Sequence, residues 1–170
     1  MPKLEEAIRV YRELEAELAP VCERISVAGS VRRRRPEVKD VEILVIPKDS
    51  PIDLLTAKLY DMVAAGILRL RKDRRGRTSF GPQNKLLVHV ASGIGVDIFT
   101  TDAARWAVAL VVRTGSKETN ISIARAAKDR GMRFLAYGDG FDTDGGHIVC
   151  YSEEQVFRAV GLPYRQPWER

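Results

Sequence analysis

Soft metal chemistry has almost no residues to work with in this chain: two cysteines and two histidines in 170 residues. Cys22 and Cys150 stand far apart with no CxxC pair, and neither His89 nor His147 has a partner at metal-motif spacing. No zinc motif is present, and both thiols are expected to be free and buried. Long apolar runs are missing as well. No stretch approaches the ~18 residues of a membrane span, and the opening MPKLEEAIRVYRELEAEL is too charged for the apolar segment of an export signal. The expectation is a soluble, unexported, intracellular chain with no membrane partner. Repeats and low-complexity stretches are absent, and the length suits one domain or two small lobes rather than a large multidomain enzyme. Acidic residues are the scarcer sign, 23 against 28 Lys and Arg, which leaves a net charge of +5. A basic balance favours a polyanionic partner. Residues 69–77, RLRKDRRGR, hold six basic side chains and one acidic one, so the local excess equals the whole net charge. The charge is a patch.

In residues 3–18, Leu4, Ala7, Ile8, Tyr11, Leu14 and Leu18 recur at spacings of three and four, which predicts a helix with one apolar face. RISVAGSV reads as a short β run broken at Gly29-Ser30, followed by a basic loop, RRRRPEVK, and a buried strand, VEILVIP, that Pro47 ends. Ser50 as N-cap, Pro51 at the first helical position and Asp53 nearby predict a helix over LLTAKLYDMVAA, closed by Gly66. Period-two patterning in ILRLR, TSF, KLLVHVA and GVDIF predicts an antiparallel meander that extends the VEILVIP sheet. Beyond Thr101 the texture turns helical in DAARWAVALVV and SKETNISIARAAKDR. Two short β runs, MRFLAY and HIVCY, follow, and Ser152 with Gln155 predicts a capping box for a last helix. GDGFDTDGG reads as a turn-rich connection. A lobe boundary is placed near 101.

Asp40 and Glu42 alternate with Val41 at the start of the VEILVIP strand, so both carboxylates share one face while Val41 enters the core. Asp97 is a lone acid between Val96 and Ile98. Three carboxylates on neighbouring strands repel one another and are costly to bury unless cations neutralise them. Hard oxygen ligands of this kind suit Mg²⁺ or Mn²⁺. The plain alternative for Asp-x-Glu is a solvated strand end. Just upstream, Gly29 permits close backbone approach to a phosphate, Ser30 and nearby N–H groups can donate to it, and Arg32 to Arg35 carry guanidinium forks suited to its oxygens. The same four arginines also suit a solvated face.

The order GSVRRRRPEVKDVEILV, VDIF, ALVVRTGSKETN, RGMRF and SEEQVFRAVGLPYRQPWER resembles the DNA polymerase X family, the beta-type polymerases of the nucleotidyltransferase superfamily, from about residue 22 onward. The TGS segment and the GLPY-PWER tail carry the most specific part of the resemblance. It implies an α+β fold in a minimal palm-plus-thumb form. Residues 1–101 would be a nucleotidyltransferase palm, a mixed sheet flanked by helices; residues 102–170 would be a small α/β lobe that binds nucleotide and DNA. It further implies that Asp40, Glu42 and Asp97 are the catalytic and metal-binding triad for two Mg²⁺ ions, with Mn²⁺ as a substitute. Gly29, Ser30 and Arg33 would contact the triphosphate, Thr114-Gly115-Ser116 would form the turn under sugar and base, Lys117 would pack against the base, and Asn120 would read its minor-groove edge. Ser116 equally suits an N-cap. The implied reaction is nucleotide addition to a primer 3′-hydroxyl, with Asp97 as proton acceptor and Arg33 screening the leaving pyrophosphate.

Departures from the family pattern carry their own expectations. Glu42 stands where these polymerases mostly carry Asp. Val112-Arg113 replaces a pair often aromatic beside the nucleotide sugar, which bears on the choice between dNTPs and rNTPs. Gly95 occupies a position often basic in relatives, so the hydrogen bond orienting Asp97 is expected to be missing. Nothing upstream of the first helix corresponds to the lyase domain or the DNA-gripping hairpin of the family. Arg69, Arg71, Lys72, Arg74, Arg75 and Arg77 are therefore expected to supply phosphate contacts to a primer-template or gapped duplex, with a solubilising hairpin as the alternative. Trp106 and Trp168 are read as packing residues, and the protein as a monomer. The competing reading is a template-independent nucleotidyltransferase acting on a non-DNA acceptor.

Overall fold

The computed structural model describes residues 1–73 and 75–170, in two compact units, Met1–Thr101 and Asp102–Arg170. In the first unit, helix α1 (Leu4–Leu18) turns Ala7, Val10, Leu14 and Leu18 to the interior. Strand β1 (Cys22–Val27) follows and pairs antiparallel with β2 (Asp40–Pro47). Between β1 and β2 lies a single helical turn, α2 (Gly29–Arg32), where the sequence suggested a turn running into an irregular basic loop. Helix α3 (Leu54–Ala64) precedes the meander β3 (Leu68–Leu70), β4 (Asn84–His89) and β5 (Gly95–Thr100). The sheet order is β1-β2-β5-β4-β3, and β5 is parallel to β2 while the other pairs are antiparallel. The result is the α+β architecture expected, a mixed sheet flanked by helices.

Strand alternation sorts this sheet into two faces. Val41, Ile43, Val45, Val96 and Ile98 join Leu14, Leu18, Leu55, Leu59 and Met62 in one core cluster. Each such side chain stabilises the fold by roughly 1.5–3 kcal/mol on burial. The intervening positions, Asp40, Glu42, Gly95 and Asp97, are thereby turned to the opposite face. Two local expectations needed correction. The N-cap of α3 is Asp53, whose Oδ1 accepts from Thr56 N at 2.9 Å, whereas Ser50 Oγ accepts from Ile52 N at 3.3 Å, one turn too early to start the helix. The TSF segment forms no strand; it makes isolated bridges, Lys72 with Thr78 and Phe80 with Lys85.

The second unit contains α4 (Trp106–Thr114), α5 (Lys117–Asp129), β6 (Arg133–Phe134), β7 (Gly140–Thr143), β8 (Gly146–Val149) and α6 (Glu153–Ala159). Its core gathers Val108, Val111, Ile123, Ala127, Phe141, Cys150, Val156, Phe157 and Val160. Strand β7 lies inside GDGFDTDGG, which the sequence presented as a connection; Phe141 is the one large apolar residue there, too little for a period-two signal. The box at α6 is also shifted. Gln155 N donates to Ser152 Oγ at 3.2 Å as expected, but the Gln155 side chain accepts from Tyr151 N at 2.7 Å. Trp106 is buried, and Trp168 is 47% exposed. Both cysteines are free and buried, and burial pushes the Cys22 thiol up to about 11. Among the described residues no helix is long and apolar enough to cross a membrane.

Candidate active site

Parallel pairing of β2 with β5 sets Asp40 beside Gly95 and Glu42 beside Asp97. One ligand oxygen from each of Asp40, Glu42 and Asp97 falls within 4.8 Å of the others. Asp97 is only 9% exposed. Burial pushes its carboxyl above the ordinary value, the Arg71 guanidinium opposes this, and the Asp40 charge adds to it. Three converging carboxylates with this burial form a hard-oxygen donor set of the kind that holds Mg²⁺ or Mn²⁺, and the residues present fit such an ion.

Gly29 closes one side of the cluster. Its φ is +56°, and a Cβ there would stand 1.6 Å from Glu42 Oε2. The space a side chain would need at this glycine is taken by the Glu42 carboxylate. Ala28 N donates to Glu42 O at 2.8 Å, which joins the end of β1 to the acid strand. Ser30 and Arg33 follow within α2 and its cap, both half-buried, with Arg33 N donating to Gly29 O at 3.1 Å. Arg34 and Arg35 are exposed.

The basic segment divides. Arg69 is paired in register with Val88, and Arg71 N donates to Leu86 O at 3.0 Å. Arg71 Nη2 lies 2.7 Å from Asp97 Oδ1, in the geometry of an ion pair rather than an aligned hydrogen bond. Position 95 offers Asp97 no side chain, and the cation beside Asp97 comes from the meander instead. Lys72, Arg75 and Arg77 are exposed, and Arg74 lies outside the described residues. Asp73 shapes the tip by accepting from Arg75 N at 2.8 Å and Arg77 N at 2.9 Å, and it pairs with the Arg77 guanidinium at 2.9 Å. Lys39, Arg71, Lys72 and Arg77 line one groove of about 640 Å³. Lys39 had no sequence signal beyond its place next to Asp40.

In the second unit, Val112 and Arg113 belong to the last turn of α4, and Gly115, with φ +69°, ends that helix. Ser116 caps α5, accepting from Thr119 N at 3.3 Å. Lys117 is exposed at the first position of α5. Asn120 Nδ2 donates to Val112 O at 2.9 Å, which ties α5 to the end of α4 and leaves Asn120 Oδ1 buried without a donor.

Comparison with known proteins adds four findings. Residues 109–170 match the family model described as DNA polymerase beta thumb. The chain is 29% identical over 164 residues to the DNA polymerase/3′-5′ exonuclease PolX of Bacillus subtilis, covering 95% of this chain and 27% of that protein. It is also 29% identical over 160 residues to rat (Rattus norvegicus) DNA polymerase lambda, covering 84% of this chain and 28% of that protein. The chain spans little more than a quarter of the length of these curated relatives. Its fold is that of a Leishmania infantum polymerase beta solved as a ternary P/T complex, with a TM-score of 0.80 over 99% of this chain and 76% of that one, at 19% identity.

Proposed function

Because the chain belongs to the DNA polymerase X family, we propose that it is a DNA-directed DNA polymerase, adding nucleotides to a primer 3′-hydroxyl in repair or gap filling, and that it works as a monomer. The observation that carries this reading is the convergence of Asp40, Glu42 and Asp97 within 4.8 Å on the face of the sheet away from its core. Asp40, Glu42 and Asp97 would hold the cations. Two Mg²⁺ or Mn²⁺ ions, when bound, supply activation of the primer hydroxyl and compensation of charge on the departing pyrophosphate. Asp97 accepts the hydroxyl proton at its carboxylate. Gly29, Ser30 and Arg33 bind the triphosphate. Gly115, Lys117 and Asn120 receive the nucleotide, with Val112 and Arg113 beside its sugar. Arg69, Lys72, Arg74, Arg75 and Arg77 contact DNA phosphates.

Primer extension on gapped duplex, nicked duplex and single strand, with each dNTP and each rNTP, tests the proposal. Asp40→Ala and Asp97→Ala should lower metal-dependent extension by roughly 10³-fold or more, equivalent to about 4 kcal/mol of barrier, with the fold retained. Glu42→Asp should remain active, since either acid offers the same oxygens. Undiminished extension by Asp97→Ala would overturn the mechanism, and extension that ignores the template would favour a template-independent nucleotidyltransferase.

A further inference from the structure

Strand register places four residues in one row across the sheet. Glu42 pairs with Asp97, Asp97 with Leu86, and Leu86 O accepts from Arg71 N. Side chains in such a row share a face. Arg71 is therefore on the face of the triad, two strand spacings from Asp97, or roughly 9.6 Å between backbones. Its guanidinium must cross Leu86 to lie 2.7 Å from Asp97 Oδ1, and Leu86 and Arg71 line the same groove.

Gly95 makes that crossing possible. It stands two residues before Asp97 on the same face of β5, and a Cβ there would fall 2.9 Å from Arg71 Nη1 and 3.3 Å from the Asp40 Cβ. Contacts of 2.9 Å are shorter than van der Waals separation, so any side chain at 95 would displace the guanidinium. Position 95 and position 71 are matched: one is empty where the other arrives. The Arg71 side chain is 30% exposed and that of Asp97 12%, so the pair is partly shielded from solvent.

We propose that Arg71 is a positioning residue for Asp97, its guanidinium holding one carboxylate oxygen and so directing the other toward Asp40 and Glu42, with Gly95 as the opening that admits it. The inference rests on the triad being the cation site of a nucleotidyl transfer. A planar carboxylate free to turn about its terminal bond presents either oxygen in several directions; a cation fixed on Oδ1 leaves one orientation for Oδ2. Outer partners of this kind, which touch a ligand and not the ion, typically change metal affinity or activity by about 10- to 100-fold when removed.

Arg71→Met keeps the apolar stem across Leu86 and removes the charge. In the full chain, Mn²⁺ affinity measured by electron paramagnetic resonance should weaken by about 10- to 100-fold, and kcat at saturating DNA and dNTP should fall within the same range. The double variant Arg71→Met/Gly95→Arg returns a guanidinium beside Asp97 from its own strand and should recover both readouts to within several-fold. Gly95→Arg alone, with Arg71 still present, should be impaired by crowding. If Arg71→Met keeps its Mn²⁺ affinity and kcat and weakens only DNA binding, Arg71 is a phosphate contact and the proposal is overturned. Asp97→Ala, measured alongside, separates the two levels: retained Mn²⁺ binding and extension in that variant would remove the triad reading itself, whereas a dead Asp97→Ala with an unaffected Arg71→Met removes only the role of Arg71.

Discussion

At Gly29 a φ of +56° and a carboxylate oxygen 1.6 Å from where a Cβ would stand impose two separate demands on one residue. The left-handed backbone alone costs an alanine roughly 1–2 kcal/mol. The second demand concerns the site, because a methyl group there must push Glu42 off the other two acids. Gly66 makes the first demand without the second: its φ is +75° and nothing lies within 4 Å of a Cβ. Gly29→Ala should therefore lose both thermal stability and at least about 10-fold in Mn²⁺ affinity, whereas Gly66→Ala should lose stability alone. Equal metal affinity in the two variants would show that the close approach to Glu42 has no bearing on the site. That a glycine was needed near Ser30 is legible from sequence; that it makes way for an acid from the neighbouring strand is not, because the contact joins residues 29 and 42 through pairing of β1 with β2. The triad acids are the opposite case. Asp40 and Glu42 betray their shared face by alternation with Val41, and Asp97 by its isolation between Val96 and Ile98.

The basic hairpin shows what an element adds to a charge count. Six cations in nine residues looked like one patch, yet Arg71 is drawn inward to Asp97, Arg77 is paired with Asp73, and Lys72 and Arg75 remain exposed. Double substitution of Arg75 and Arg77 by Ala should flatten the slope of log K against log salt for duplex binding by roughly 0.9 for each phosphate that is no longer neutralised. Affinity should fall similarly for unrelated DNA sequences, because cations on phosphates read no bases. An unchanged slope would assign these side chains to solubility. The sheet of the second unit offers a pH test. His147 on β8 contacts Asp142 Oδ1 at 2.9 Å and Asp139 Oδ1 at 2.7 Å, and Arg133 also pairs with Asp142. Hydrogen bonds to Asp142 and then Asp139 raise the His147 pKa above its ordinary 6.5. A raised pKa stabilises the folded state fully below the unfolded value, and the contribution disappears as pH climbs through the folded value. An NMR titration should place the His147 midpoint above 6.5, with amide exchange over 146–149 quickening as pH passes that midpoint by more than in His147→Gln. A midpoint at or below the ordinary value would show that the two carboxylates leave the ring unbiased in solution.

On the scale of the whole molecule, each unit has its own core, and total stability sets how much any single contact matters. Arg170 Nη1 lies 3.0 Å from Glu153 Oε1 with both side chains nearly sealed from solvent, and the guanidinium stacks 5.0 Å from the Phe157 ring and 5.3 Å from that of Tyr164. Breaking a buried pair by removing one partner costs about 3–5 kcal/mol, a large part of the roughly 5–15 kcal/mol that holds a typical domain. Glu153→Ala should lower unfolding stability in urea by about that amount, and Glu153→Leu/Arg170→Met should recover much of it; a decrease under about 1 kcal/mol in the single variant would show the pair to be solvated. Sequence by itself determined the longer helices, most strands, the position of the triad acids and the division of texture near residue 101, because periodicity, capping and strand alternation act over a few neighbouring residues. Tertiary structure alone decided that Arg71 reaches Asp97, that Gly29 yields to Glu42, that GDGFDTDGG contains a strand and that Arg170 closes on Glu153. Those pairings join residues distant in the chain, and their register is set by how strands and helices pack together, which no local pattern encodes.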